Sequence, residues 1–251
     1  MAKEIELKLS LPKLLRQKFL RLPLLQQATS RQAQTLTNRY YDTPSLDLQK
    51  NGVALRTRQQ GRRWLQTVKC AGSSVGGLSS RPEWETDYRG NFDFSSVDAP
   101  AVRDLLDQPG IKDRLTVLFE TRFQRTTWRF EPRPGCSLLL MLDHGEITAA
   151  GHHEKICEVE IELVCPASPA SLDAIFSLAR ALATSIPLLP TSQSKAERGY
   201  RLFFGTPLRP RKAKTPHIDP CTSPTRAYQA VMQECLDHLQ TNHEGVLGSD
   251  D

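Results

Sequence analysis

Residues 3–10 read KEIELKLS. Charged and apolar side chains alternate along them. Glu4, Glu6 and Lys8 fall on one face of an extended chain, and Ile5, Leu7 and Leu9 fall on the other. A half-buried strand with a solvated outer face has this pattern. So does a strand whose polar face lines an enclosed interior. The choice between the two decides the fold, and the rest of the chain bears on it.

The pattern recurs. Glu158, Glu160 and Glu162 alternate with Val159, Ile161 and Leu163. Arg56 and Arg58 share one strand face, and Arg81, Glu83 and Glu85 share another, opposite Trp84. Lys69 lies near the end of RWLQTVKC, and Asp143 closes SLLLMLD. In the long segment TVLFETRFQRTTWRF, the odd spacing of Arg122 and Arg125 sends them to opposite faces, so only one looks inward. Like charges two residues apart on a strand lie roughly 7 Å from one another. Water screens such a row on any single exposed strand. Taken together, the strands have continuous apolar faces and helical segments to cover them. If the apolar faces point outward to helices, the charged faces point at each other. A sheet closed on itself then encloses a lumen lined with both signs of charge. Such a lumen is costly to desolvate unless a divalent metal meets the carboxylates and a polyanion meets the arginines and lysines.

The order of segments supports an α+β fold: a mainly antiparallel, closed β-barrel of about eight strands forming a polar tunnel, with flanking helices. Helical spacing is expected over residues 10–28, broken or kinked at Pro23, and again over 101–108, 168–185 and 193–204. The hairpin VALRTRQQ–RWLQTVKC turns at Gly61, and AGSSVGGLSS reads as a flexible loop. Near residue 206 the composition changes. TPLRPRKAKTP carries three prolines and four basic residues with no acid, which is linker chemistry. Beyond it, Tyr228, Val231, Met232, Cys235 and Leu239 follow a helical stripe that one helix cannot bury alone. The expected division is 1–205, a basic linker 206–220, and the truncated start of a helical domain at 221–251.

The 251 residues are 39% hydrophobic and 24% charged, enough apolar material for a sizeable core. A net charge of +5 suits an anionic ligand without demanding nucleic acid. Neither a nucleic-acid partner nor a membrane is expected. The six cysteines have no CxxC spacing and read as reduced thiols of a cytoplasmic protein. There is no P-loop, GxSxG or HExxH to support those chemistries. Trp64, Trp84 and Trp128 read as packing residues, and His152–His153 lacks a partner at ligand spacing.

Glu4-Ile5-Glu6-Leu7-Lys8 matches the ExExK signature of the CYTH superfamily, the triphosphate tunnel metalloenzymes. YYDTP, GVALRTR, TVKCAG, GGLSSRPEWE, LDHGEI, ICEVEIEL and QSKAERGY follow in that family's order. The chain most resembles bacterial inorganic triphosphatases that carry a CYTH domain followed by a CHAD domain. The resemblance covers residues 1 to about 205, and the linker and last helix resemble the start of the CHAD domain. It implies metal-dependent hydrolysis of inorganic triphosphate, or of polyphosphate, with Mg2+ or Mn2+ as cofactor. It implies metal binding by Glu4 and Glu6 with help from Glu158, Glu160 and Glu162. The shared face of those three does not choose among them; Glu158 and Glu160 are favoured and Glu162 stays in play. Asp143 is a further candidate ligand or water-orienting group. Glu4, Glu6, Lys8 and Glu160 are the expected catalytic set. The expected substrate-binding set is Lys8, Arg39, Arg56, Arg58, Lys69, Arg81 with Glu83 beside it, one of Arg122 and Arg125, and Lys195 with Arg198. The last two sit three apart on the final helix, able to plug one tunnel end. Thiamine or nucleoside triphosphatase and adenylate cyclase are sister activities on the same fold. A non-catalytic polyphosphate-binding module is the alternative of another class.

Overall fold

The structure, a computed structural model, describes residues 3–207 and 210–248. Its strands are β1 (Lys3–Ser10), β2 (Ser30–Asp42), β3 (Val53–Gln60), β4 (Arg63–Cys70), β5 (Ser73–Val75), β6 (Leu78–Asp87), β7 (Thr116–Arg133), β8 (Cys136–Ala149), β9 (His152–Leu163) and β10 (Leu189–Pro190). Hydrogen bonding runs β1-β9-β8-β7-β2-β3-β4-β6, and β6 pairs back onto β1, so eight antiparallel strands close a barrel. The short β5 and β10 attach to β6 and β1. Closure leaves no open edge in the ring and gives it an inside and an outside.

Helices are α1 (Arg16–Phe19), α2 (Asp47–Lys50), α3 (Pro100–Asp107), α4 (Pro109–Lys112), α5 (Pro169–Ala183), α6 (Lys195–Phe203) and α7 (Pro224–Gly248). The apolar faces of β1, β8 and β9 look outward. Ile5, Leu7, Leu9, Leu140, Val159 and Ile161 pack there against Phe19, Ile175, Leu178 and Leu182. A second apolar layer, with Leu55, Val68 and Trp84, lies under α2, Phe94, Val97 and the α3–α4 segment. With both outer walls covered by apolar contacts, alternation turns the charged residues inward.

The helix expected over 10–28 is instead three short turns, Lys13–Leu15, α1 and Pro23–Gln27. Pro23 lacks an N–H and pushes Leu22 to an extended ψ of 129°, so no continuous helix crosses that point. The expected loop at 71–80 is in part a hairpin. Gly76 and Gly77, both at positive φ, form the two-residue turn joining β5 to β6.

The third cluster sets the shape of the cavity. α6 lays Tyr200 and Ala196 against Leu36, Tyr40, Phe119, Phe123 and Ile147 and closes one end of the barrel. Gly199 makes this possible: a Cβ there would lie 2.1 Å from the Phe119 ring. The Tyr200 hydroxyl donates to Asp42 at 2.8 Å. Asp42 also accepts from the backbone N–H groups of Thr43, Leu48 and Gln49, fixing α2 to the same end. α7 is anchored by Arg211, which pairs with Glu234 and exchanges hydrogen bonds with Asn242. Tyr228, Val231, Met232, Leu236 and Leu239 on α7 are exposed. No helix among the described residues is long and apolar enough to cross a membrane.

Candidate functional site: a charged tunnel

The barrel holds a cavity of about 890 Å3. Strand β1 contributes Glu4, Glu6 and Lys8 to it, and β9 contributes Glu160 and Glu162. The basic lining comes from Arg56 and Arg58 on β3, Lys69 on β4, Arg81 on β6, Arg125 on β7 and Lys195 on α6. Glu83 and Glu85 lie among them. Seven separate segments thus deliver charge of both signs to one cavity.

Register sets the pairings. Across β1 and β9, Glu6 faces Glu162 and Lys8 faces Glu160, while Glu158 lies beyond, opposite Ser10. Lys8 Nζ sits 3.7 Å from both Glu6 and Glu160. Glu4 is held by Lys69 Nζ at 2.8 Å and Arg81 Nε at 2.8 Å. Burial alone would raise the Glu4 carboxyl, but those two cations hold it well below the usual carboxylate range. Glu6 goes the other way: burial and the neighbouring Glu160 and Glu4 outweigh Lys8 and push it up. Glu162 makes no hydrogen bond or ion pair with the described residues. Burial together with Glu4 and Glu6 pushes its pKa to about 7. Lys8, Lys69 and Arg81 pair with Glu4 and Glu6, Arg81 reaching Glu6 at 3.0 Å, so Glu162 is the carboxylate of this corner that no cation contacts among the described residues.

Deeper, the balance is complete. Asp143, Glu158 and Glu160 bring carboxylate oxygens within 4.8 Å of one another, a spacing that could hold an ion. Lys195 fills that place: its Nζ lies 2.6 Å from Asp143, 3.0 Å from Glu160, and bonds Glu158 as well. Arg125 forks onto Asp143 at 2.7 and 2.6 Å and reaches Glu160 at 2.6 Å. Arg198 binds Glu158 at 3.0 Å and Glu154 at 2.6 Å. Asp143 is wholly buried, and neither it nor Glu158 lines the cavity. These two carboxylates hold α6 and Arg125 in place, a use that strand alternation does not reveal. Arg198, bound to Glu154 and Glu158, likewise does not line the cavity.

The phosphate-facing candidates are held from behind. Arg58 Nε donates to Asn38 Oδ1 at 2.8 Å, and the wholly buried Asn38 donates in turn to Thr121 at 2.8 Å. Burial and the nearby Arg56 and Arg125 lower Arg58 to about 10. Arg56 is 8% exposed, and its buried Nε has no hydrogen-bond partner. Arg125 and Lys195 both lie over the Phe123 ring, at 5.6 and 5.0 Å from its centroid. Asn38, Tyr40 and Phe123 are site residues that charge patterning misses. Parity could have found one of them, since Phe123 is in phase with Arg125.

Two of the expected residues lie elsewhere. Arg39 is exposed on the outer wall, 3.5 Å from Glu120 and stacked over Trp64. Arg122 is exposed and paired in register with Glu146, so Arg125 is the inward member of its pair. On β2 the inward phase belongs to Asn38 and Tyr40, which leaves Arg39 outside.

A closed antiparallel barrel with an acid- and base-lined interior and a helix in one end defines a tunnel protein suited to a polyanion and a cation. The chain belongs to the CYTH domain family, whose model matches residues 2–200. It is 30% identical over 178 residues to the inorganic triphosphatase of Haemophilus influenzae; the match takes in 66% of this chain and 46% of that protein. The chain thus spans about half the length of this curated relative. Among solved structures, it resembles the Hippeastrum protein HpAC1, described as having a dominant triphosphatase activity. The TM-score is 0.55 at 20% identity, covering 82% of this chain and 98% of that one. It also resembles the PH1819 protein of Pyrococcus horikoshii, with TM-score 0.50 at 18% identity, over 79% of this chain and 99% of that one. These two likenesses concern the fold.

Proposed function

We propose that this chain hydrolyses inorganic triphosphate to pyrophosphate and phosphate, using Mg2+ or Mn2+ held in the tunnel. The carrying observation is the convergence of Arg56, Arg58, Lys69, Arg81 and Arg125 with Glu4, Glu6 and Glu162 on one enclosed cavity. The identity to an inorganic triphosphatase supports the same reading.

The residues fit a hard divalent cation. Glu162 is a largely enclosed carboxylate without a cationic partner, set opposite Glu6 and near Glu4. Such all-oxygen donors suit Mg2+ or Mn2+, which share their coordination with phosphate. Glu4, Glu6 and Glu162 would hold it, with Glu160 adjoining. When bound there, the cation supplies charge neutralisation and Lewis acidity toward phosphate oxygens.

The chain's own groups do the positioning. Arg56, Arg58 and Arg125 present planar forks that match pairs of phosphate oxygens. The unpartnered Arg56 Nε supplies a donor that a phosphate oxygen would satisfy. Lys8, between Glu6 and Glu160, places an ammonium where charge develops on the reacting phosphate. Glu6, Lys8, Arg56 and Glu160 are buried in the barrel, where charges interact more strongly than in bulk water. Catalysis is then mostly alignment and electrostatics. The cytoplasm is the proposed compartment. Residues 206–220 are proposed as a linker, and α7, with its exposed apolar residues, as the start of a CHAD-like helical domain.

The test is phosphate release from tripolyphosphate, ATP, thiamine triphosphate and long-chain polyphosphate, each with Mg2+, Mn2+ or EDTA. Tripolyphosphate is expected to be the preferred substrate, with EDTA abolishing turnover. Preference for ATP or thiamine triphosphate would move the assignment to a sister activity. Tight binding of polyphosphate with no release under any metal would replace it with a binding module.

A further inference from the structure

The β8–β9 hairpin carries a feature that the tunnel does not use. Its last paired residues at the open end are Leu138 and Leu163, and Val164 N–H then donates to Ser137 O at 2.9 Å. One residue further on each side come Cys136, the first residue of β8, and Cys165, in the bend that follows β9. The Val164–Ser137 hydrogen bond holds these two chain segments side by side. A disulfide spans Cα separations of about 4.4–6.8 Å. Both side chains belong to one apolar cluster, on the outward face near Leu138 and Leu163. The two thiols also act on each other. Burial raises the Cys136 thiol, and the Cys165 thiol beside it raises it further, while Arg133 pulls it back down.

We propose that Cys136 and Cys165 form a redox pair that closes a cross-strand disulfide when the protein meets a peroxide. Both are free thiols in this structure. Cys165 is half-buried and meets the oxidant first; Cys136 is 4% exposed and resolves it. The Cys165 thiolate attacks a peroxide oxygen: an S–O bond forms, the O–O bond breaks, and one water leaves. The Cys136 thiolate then attacks that sulfur: the S–S bond forms, the S–O bond breaks, and the departing hydroxide takes up a proton as the second water. Two thiols lose two electrons and two protons, and one hydrogen peroxide becomes two waters. Burial and Cys165 disfavour the Cys136 thiolate that the second step needs, and Arg133 beside it offsets part of that cost. The bridge would tie the start of β8 to the segment leading into α5. It lies on the helix-covered face and not on the tunnel face, so it does not depend on the function proposed above.

The test uses the full chain carrying C221S and C235S, which removes the two exposed thiols. Four cysteines remain. After stoichiometric hydrogen peroxide, a thiol titration in denaturant is expected to find two. Mass spectrometry of the digest should contain the Cys136–Cys165 linked peptide. The melting temperature should rise by several degrees and return on treatment with dithiothreitol. Adding C165S should leave Cys136 reduced and abolish the shift. Four surviving thiols, a link between other cysteines, or Cys165 as sulfinic acid without a bridge would each overturn the proposal. So would loss of two thiols in the C165S variant.

Discussion

The ammonium of Lys195 lies 2.6 Å from the carboxylate of Asp143, a residue with no exposed surface. With Glu158 and Glu160 completing the cage, Lys195 is a cation built into the wall of the barrel. The same lysine opens α6, so one charge cluster fixes both the plug helix and the inner end of the cavity. An acidic group that could hold an ion is thereby occupied from within, and Glu162, which has no ion pair among the described residues, lies nearer Glu4 and Glu6.

Removing that cation should be costly. Lys195→Met leaves three buried carboxylates facing Arg125, Arg198 and the more distant Lys8, and loss of one partner of a buried pair costs about 3–5 kcal/mol. Urea unfolding should show a destabilisation of that size, and Lys195→Met with Asp143→Asn should recover part of it. A Lys195→Met protein as stable as the parent, with only a raised KM, would make Lys195 a substrate ligand alone.

The two ends of the acidic strand should behave differently. Glu162→Gln is expected to raise the Mg2+ or Mn2+ concentration for half-maximal turnover more than about tenfold, with little change in melting temperature. Glu158→Gln should do the reverse, loosening α6 and lowering the melting temperature while leaving metal dependence nearly unchanged. Metal titrations and thermal melts of the two variants separate these roles.

Gly199 is a packing requirement. Gly199→Ala places a Cβ into the Phe119 ring, and overpacking of this kind costs about 1–3 kcal/mol. Because the clash pushes α6 off its seat, faster proteolysis at α6 should accompany the loss of stability. Unchanged cleavage would show that the ring moves and the helix does not.

Asn38 acts through Arg58. Asn38→Ala removes the acceptor that orients the guanidinium, and KM for tripolyphosphate should rise several-fold while kcat changes less. Thr121 loses its donor as well, so a stability loss of about 1–3 kcal/mol is expected. Asn38→Asp, which keeps an acceptor facing Arg58, should recover part of the KM effect. Equal loss in both variants would mean that Asn38 serves packing alone.

The ring of eight strands was legible because strand alternation repeats without interruption in β1, β3, β6 and β9. Helix boundaries near Pro12 and Pro23 were less legible, since three short turns share the apolar spacing of one helix. Parity alone put Arg122 and Arg125 on opposite walls. Arg39 carried the right charge in the wrong phase, one residue from the inward Asn38 and Tyr40.

The sequence by itself determined that Glu4, Glu6 and Lys8 share one face of β1 and that Glu158, Glu160 and Glu162 share one face of β9, because side chains along a strand point to opposite sides in turn. Which carboxylate meets which cation was decided only in three dimensions. Depth along the barrel depends on the stagger between neighbouring strands, which sets Glu162 beside Glu6 and carries Glu158 past Lys8. It depends too on where α6 docks, which delivers Lys195 to Asp143 from 52 residues away in the chain. Glu158, Glu160 and Glu162 are the same residue in the same pattern. Their surroundings differ because stagger and docking belong to the closed barrel and not to any one of its strands.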